Sequence, residues 1–240
     1  MARIVFVIAL LTGTMLWAQE RIPEGTILPV ELRTSLRSHK MSAGDVVKAR
    51  VMQDVPLEGH SKIHAGAMIV GRVSEVAPAA EPVLAVRFDK LVEGKRSTPI
   101  TTSLRALASP MDVEDAQIPT SGPDRGTSEA DWVTEQIGGE IRYHGSVVTH
   151  GRDVVGNSVA EGVLVQASAN PHGRCEGEMQ HNESPQAMWL FSSDACGIYD
   201  VPHLRLMHSG RTDPVGEIRF RSSRGPVNIS AGSGMLLTVR

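Results

Sequence analysis

Gly156-Asn157-Ser158-Val159-Ala160 is the stretch nearest to a nucleophile motif, G-x-S-x-G with Ala in the last place. A serine attacks an acyl carbon only when a histidine takes its proton and a carboxylate orients that histidine. Asp194 with His203, or with His172, offers the residue types for a hydrolase. The motif also needs a strand before the serine and a helix after it. Here a Gly turn and another short apolar stretch follow, so a polar turn is expected and no catalytic residue is assigned.

Metal chemistry finds no better footing. No H-E-x-x-H is present, and no two of the 9 histidines fall four apart on a predicted helix. His144 and His150 flank a short apolar segment and are expected at the surface. Cys175 and Cys196 have no C-x-x-C spacing that could join them to His172 and His181 in a zinc site. Asp112, Glu114 and Asp115 cluster without the D-x-D-x-D-G frame of a calcium loop. No P-loop or G-x-G-x-x-G occurs, so no metal and no cofactor is expected.

The most distinctive stretch is Pro185–Tyr199, which gathers Trp189, Phe191 and Tyr199 in a chain only 4% aromatic. Rings beside a cysteine form a small core under a lobe poor in aliphatics. They also suit the floor of a groove for glycan or peptide, and these three residues are the candidate binding surface.

The elements that must position such residues are strands. Val and Ile are frequent, Gly numbers 23 and Pro 14, and short apolar runs alternate with turn residues. Strands are predicted over Ile27–Leu32, Val46–Val51, Ala67–Val76, Val83–Leu91, Ser97–Leu107, Glu140–Tyr143, Gly162–Ala167, Glu217–Arg221 and Met235–Val239. In Val83–Leu91 the Leu84/Val86/Phe88 face is the expected core face. Helices are predicted over Ser128–Gly138, with Ser128 as N-cap and Gly138 or Gly139 as the stop, and over Ser184–Ser192. An apolar-x-x-Gly device precedes strands at Ile22–Gly25, Ile63–Gly66, Val159–Gly162 and Ile229–Gly232. It reads as a tight turn whose glycine takes a positive φ over a tucked apolar residue.

The fold class expected is all-β: a small β-barrel built from N-terminal strands (20–107) and C-terminal strands (215–240). The segment 108–214 is expected as a large irregular insertion carrying a disulfide and one or two short helices. Residues 1–19 read as a signal peptide, with Arg3 before the apolar run Ile4–Leu11 and a cleavage site at Leu16-Trp17-Ala18. No later stretch is apolar enough for a transmembrane helix in the mature chain. The chain is thus expected to be exported to the periplasm or envelope of a bacterium. Lys and Arg total 24 against 27 Asp and Glu, a net charge of −3, which argues against a nucleic-acid partner.

Ile22–Leu32 resembles the opening strand of the TrbI-like β-barrel, the C-terminal domain of scaffold proteins in conjugative type IV secretion. Ala43–Val55, the Ile63–Gly66 turn, Gly71-Arg72-Val73 and the ending Ile229–Val239 are similar to later strands of that barrel. The resemblance covers mostly residues 22–107 and 225–240. It implies a barrel module used as an envelope scaffold, and it brings no catalytic residues. In place of the inner-membrane helix and Pro-rich linker that precede the barrel in that family, a signal peptide leading directly into the barrel is expected here.

The function expected is a secreted, non-enzymatic binding or scaffold module, docking an envelope protein or a cell-wall glycan. A secreted hydrolase with a site between barrel and lobe, and a subunit of a secretion channel, are the alternatives. Export places Cys175 and Cys196 in an oxidising space, where a pair closing a loop of about 22 residues stabilises by roughly 3 kcal/mol. Thiol labelling of the unreduced mature protein should therefore find no free cysteine; one or two labelled thiols would remove the bond.

Overall fold

The computed structural model describes residues 21–78, 80–118, 131–159, 162–171, 175, 177 and 184–240. The expected leader (1–19), Ser128 and His172 lie outside them. The N-terminal block forms β1 (Ile27–Leu32), β2 (Leu36–Arg37), β3 (Val46–Val51), β4 (Val55–Pro56), β5 (Lys62–Ile63), β6 (Met68–Ala77), β7 (Val83–Glu93), β8 (Arg96–Pro99) and β9 (Thr102–Ala108). The middle segment supplies α1 (Pro110–Asp115), β10 (Asp131–Gln136), β11 (Gly139–His144), β12 (Val147–His150), β13 (Asp153–Val159), β14 (Gly162–Val165), β15 (Gln186–Ala187), β16 (Gly197–Tyr199) and β17 (Leu204–His208). The last block adds β18 (Ile218–Ser222), β19 (Asn228–Ile229) and β20 (Gly234–Val239).

Ten strands make one sheet in the order β16-β9-β20-β1-β3-β6-β7-β18-β17, with β8 attached to β7. Early and late chain meet where β1 runs antiparallel to β20, from Ile27 opposite Thr238 to Glu31 opposite Gly234. The far ends return toward each other: the Leu104 amide of β9 donates to the Ser209 carbonyl just beyond β17, at 2.7 Å. The sheet is a nearly closed barrel, which hides edges that would otherwise template aggregation. Leu84, Val86 and Phe88 point into its core, as their alternation predicts. Gly25, Gly66 and Gly232 turn at φ 84°, 90° and 91°, with Ile63 and Ile229 buried beneath two of them. At Gly162 the device fails in part, because Val159 is 37% exposed.

Three expectations need correction. The predicted helix over Ser128–Gly138 is, in its described part, the strand β10, because Trp132-Val133-Thr134 favours a pleated surface. Gly138 is not a helix stop but the turn between β10 and β11, where a Cβ would lie 2.7 Å from the Ala195 Cα. The predicted helix over Ser184–Ser192 is the two-residue β15 followed by a tight turn. The middle segment does contain one short helix, α1, where none was predicted. Its start is written in the sequence: the Ser109 side chain accepts from the Asp112 amide at 3.1 Å, with Pro110 in the first turn. The lobe is also smaller than 108–214, because β16 and β17 belong to the barrel sheet.

What remains of the lobe is a six-stranded sheet in sequence order, β10 to β15. It covers the outer face of the barrel, where Ile27, Ala106 and Leu236 meet Ile141, Val148 and Phe191. The inner faces of the same strands hold Leu28, Leu104 and Leu237 in the barrel core. Every residue of β9 and β20 is therefore buried, and the polar-apolar alternation of a half-exposed strand is lost.

One charge lies inside this junction. Leu236 opposes Ala106 and Leu237 opposes Leu104, so Arg105 is the extra residue of a bulge. It is 1% exposed. Its guanidinium donates to the carbonyls of Ala195 (2.9 Å), Ser168 (2.8 Å) and Ser193 (3.4 Å). Gly177 sits so close that a Cβ there would collide with the Arg105 carbonyl oxygen. The disulfide Cys175–Cys196, with a Cα separation of 5.3 Å, ties the chain around this point. Arg105→Met keeps the volume and removes the donors, leaving the Ala195 and Ser168 carbonyls without this partner at about 1–3 kcal/mol each, while Ser193 keeps the Ser168 amide (2.7 Å). Its expected cost is at least ~2 kcal/mol, read from the denaturant midpoint. A loss under about 1 kcal/mol would show that the arginine does not hold the lobe.

Candidate functional site

Alternation along β10 puts Trp132, Thr134 and Gln136 on one face. Trp132 stands directly opposite Tyr143 of β11, and Thr134 opposite Ile141. On β11 and β12 this face carries Ile141 and Val148, which are buried against the barrel. Toward the start of β10 it stays open, and Trp132 is 39% exposed. The opposite wall is the turn after β15, carrying Trp189 and Leu190, together with Ala116 and Gln117 at the end of α1. The hollow between them has a volume of about 490 Å³, with Ser158 and Val163 at its side.

Trp189 is 36% exposed and adopts φ 54°, a left-handed conformation rare for bulky residues. Such a residue costs roughly 1–3 kcal/mol and persists only where its surroundings impose it. Here the Phe191 amide donates to the Met188 carbonyl (3.2 Å) and the Ile137 amide to the Leu190 carbonyl (3.0 Å). Gln136 Nε2 donates to the Trp189 carbonyl (3.1 Å) and lies 3.4 Å from Tyr143 Oη. Gln136 is 7% exposed, lines the hollow, and its Oε1 has no hydrogen-bond partner. Burial pushes the Tyr143 phenol above its usual range against the opposing pull of Thr134 and Gln136, so it stays neutral at ordinary pH.

A second hollow of about 730 Å³ adjoins the first, and Trp189 and Gln117 line both. Its walls are barrel residues Glu31, Arg50, Ala65 and Gly66 on one side and Val113 and Glu114 of α1 on the other. Glu31 pairs with Arg50 at 2.7 Å and with Arg33 at 2.8 Å.

The sequence candidates are dispersed. Of the three aromatic residues, Trp189 lines the hollow, whereas Phe191 is fully buried under the lobe and offers no surface. Tyr199 is half-buried on β16; its hydroxyl accepts from the Cys196 amide (2.9 Å) and donates to the Cys196 carbonyl (3.1 Å). Ser158 lies within β13 rather than on a strand-to-helix turn, and no hydrogen bond links it to Asp194 or His203 among the described residues. His203 is exposed on the turn before β17.

A different serine and histidine do meet: His150 Nδ1 lies 3.0 Å from Ser193 Oγ. The same nitrogen is 3.8 Å from the Asp194 carboxylate, whereas a triad needs the two partners on opposite ring nitrogens. Ser193 is 2% exposed, which closes it to substrate. His150, expected at the surface, is thus partly enclosed at the edge of the lobe. No group of three or more metal-binding side chains occurs among the described residues.

Trp132 and Gln136 share a face in a helix as in a strand, but the helical reading of 128–138 took Thr134 off that face and hid the pairing of Trp132 with Tyr143 on the neighbouring strand. A period-two reading of Trp132-x-Thr134-x-Gln136 would have aligned them. Neither a protein-family model nor a curated protein sequence matches this chain.

Acid reports on three carboxyls, of which Glu31 lines the second hollow. Partial burial raises Glu31, but hydrogen bonds from Arg50 and Arg33 outweigh it and leave the carboxyl below its usual range. Glu217 is likewise raised by burial and lowered further by Arg219, Ser74 and Arg87. Depressed carboxyls stabilise the fold above their unfolded values, near 4.3, and that stability is lost as pH falls through the lower folded values. Asp112 runs the other way, because burial and the nearby Asp200 raise it. Urea unfolding between pH 6 and pH 3 should show falling stability, less steeply in Glu31→Gln and more steeply in Asp112→Asn. A slope unchanged in both variants would contradict these assignments.

Proposed function

We propose that this chain is an exported, non-enzymatic binding module of the bacterial cell envelope, and that it holds a neutral glycan in the Trp132/Tyr143/Trp189 hollow. Export is supported by the leader-like residues 1–19 and by the Cys175–Cys196 bond, since disulfides persist in oxidising compartments. Among the described residues, no helix is long and apolar enough to cross a membrane. A TrbI-like barrel is part of the same proposal, supported by the adjacency of β20, β1, β3 and β6, which carry most of the resembling residues.

The observation that carries the reading is the pairing of two partly exposed indoles with a buried, unsatisfied amide oxygen. Pyranose rings present flat C–H faces that stack on indoles, while their hydroxyl and acetamido groups donate hydrogen bonds. Gln136 Oε1 is a buried acceptor without a partner in the wall of the hollow, and a turn of its amide would meet such a donor. The strained Trp189 is held ready by its backbone bonds, which lowers the entropy cost of binding. The hydrolase reading gains nothing from Ser158, which lines the hollow from within β13 and has neither Asp194 nor His203 as a hydrogen-bond partner among the described residues.

Trp17 lies in the leader, so Trp132 and Trp189 are the only tryptophans of the processed chain and its fluorescence reports the hollow alone. Titration with the β-1,4-linked trimer of N-acetylglucosamine should quench that fluorescence. Trp132→Ala and Trp189→Gly should each weaken binding at least tenfold by calorimetry. Trp189→Gly should not lower the unfolding midpoint, because glycine relaxes the left-handed backbone. Binding unaffected by either substitution would refute the site.

A further inference from the structure

We infer that the ligand is a linear oligosaccharide that crosses from the aromatic hollow over Trp189 and Gln117 into the second hollow on the barrel. The inference rests on the glycan reading above and specifies its length and charge. Either hollow alone has the size of a small-molecule site, roughly 300–1,000 Å³. Their common wall is Trp189, whose backbone is the strained one, with Gln117 exposed beside it. A single sugar leaves one hollow empty, whereas a chain fills both, and the second contact then forms at high effective concentration.

The two halves differ in chemistry. The first is aromatic and apolar with one buried amide. The second is lined by Glu31, Arg50 and Glu114, and with Arg33 paired to Glu31 these charges balance. Glu114 is exposed on α1 and forms no ion pair among the described residues. Balanced charges give a polyanion no net attraction there, and a neutral chain of hydroxyl and acetamido groups suits them.

The test uses N-acetylglucosamine oligomers and the whole processed protein. By calorimetry the hexamer should bind at least tenfold more tightly than the dimer. Ala65→Trp fills the second hollow from its exposed rim and keeps the backbone bond to Asp54 (2.8 Å). It should retain dimer affinity and remove most of the hexamer advantage. Glu114→Trp, reaching in from α1, is the second obstruction should Ala65→Trp misfold. Trp132→Ala should weaken both oligomers. Equal affinity for dimer and hexamer, with Trp132→Ala still weakening both, would end the track and leave the single hollow standing. Binding of neither oligomer would end both readings. Tighter binding of hexagalacturonate than of the hexamer would reverse the charge assignment.

Discussion

A guanidinium enclosed between two sheets is the constraint that orders this molecule. Removing a charge from water is expensive unless its donors are satisfied. Arg105 is brought to the outer face of β9 by a one-residue bulge, and there it must find acceptors. It finds them on carbonyls of the lobe, from Ser168, Ser193 and Ala195. These bonds fix the loop that precedes Cys196 and follows the Trp189 turn. The packing of Gly177 on the Arg105 carbonyl and the disulfide act on the same few residues. Polar satisfaction, close packing and covalent closure thus converge on one point of contact between barrel and lobe.

The aromatic hollow follows from that arrangement. The lobe sheet is buried against the barrel along only part of its face. Where they overlap, Ile141 and Val148 are sealed; where they do not, Trp132 remains open. The turn at Trp189 is pinned by Gln136 and Ile137 at the end of β10, so the wall after β15 is tied to the wall on β10 and β11. The end of the capped helix α1 completes that second wall. The left-handed backbone of Trp189 is imposed by the bonds that close this turn and join it to β10.

The barrel was legible because its strands obey simple rules. Leu84, Val86 and Phe88 alternate cleanly, and the glycine turns before β1, β6 and β20 have the composition their positive φ demands. Period and punctuation were both present. The lobe was harder. Ser128 and Gly138 imitate the ends of a helix, and the β-branched and aromatic content between them was outweighed by those false boundaries. Nor could local sequence show that β9 and β20 are covered twice, since Ala106 and Leu236 read equally well as an ordinary apolar run. The hollow itself depends on residues more than fifty positions apart, Trp132 and Trp189, whose meeting is a matter of tertiary register. Arg105 left no trace in the pattern, because a bulge is visible only against its partner strand.

Double coverage of β9 and β20 also sets a limit on modularity. Excising the lobe would bare Ile27, Ala106 and Leu236 to solvent and strand the Arg105 charge on an apolar wall. The shell and its attachment are therefore not interchangeable parts that recombination could shuffle separately. Any descendant that reshapes the hollow must do so by altering rings and rim, while inheriting the seam intact.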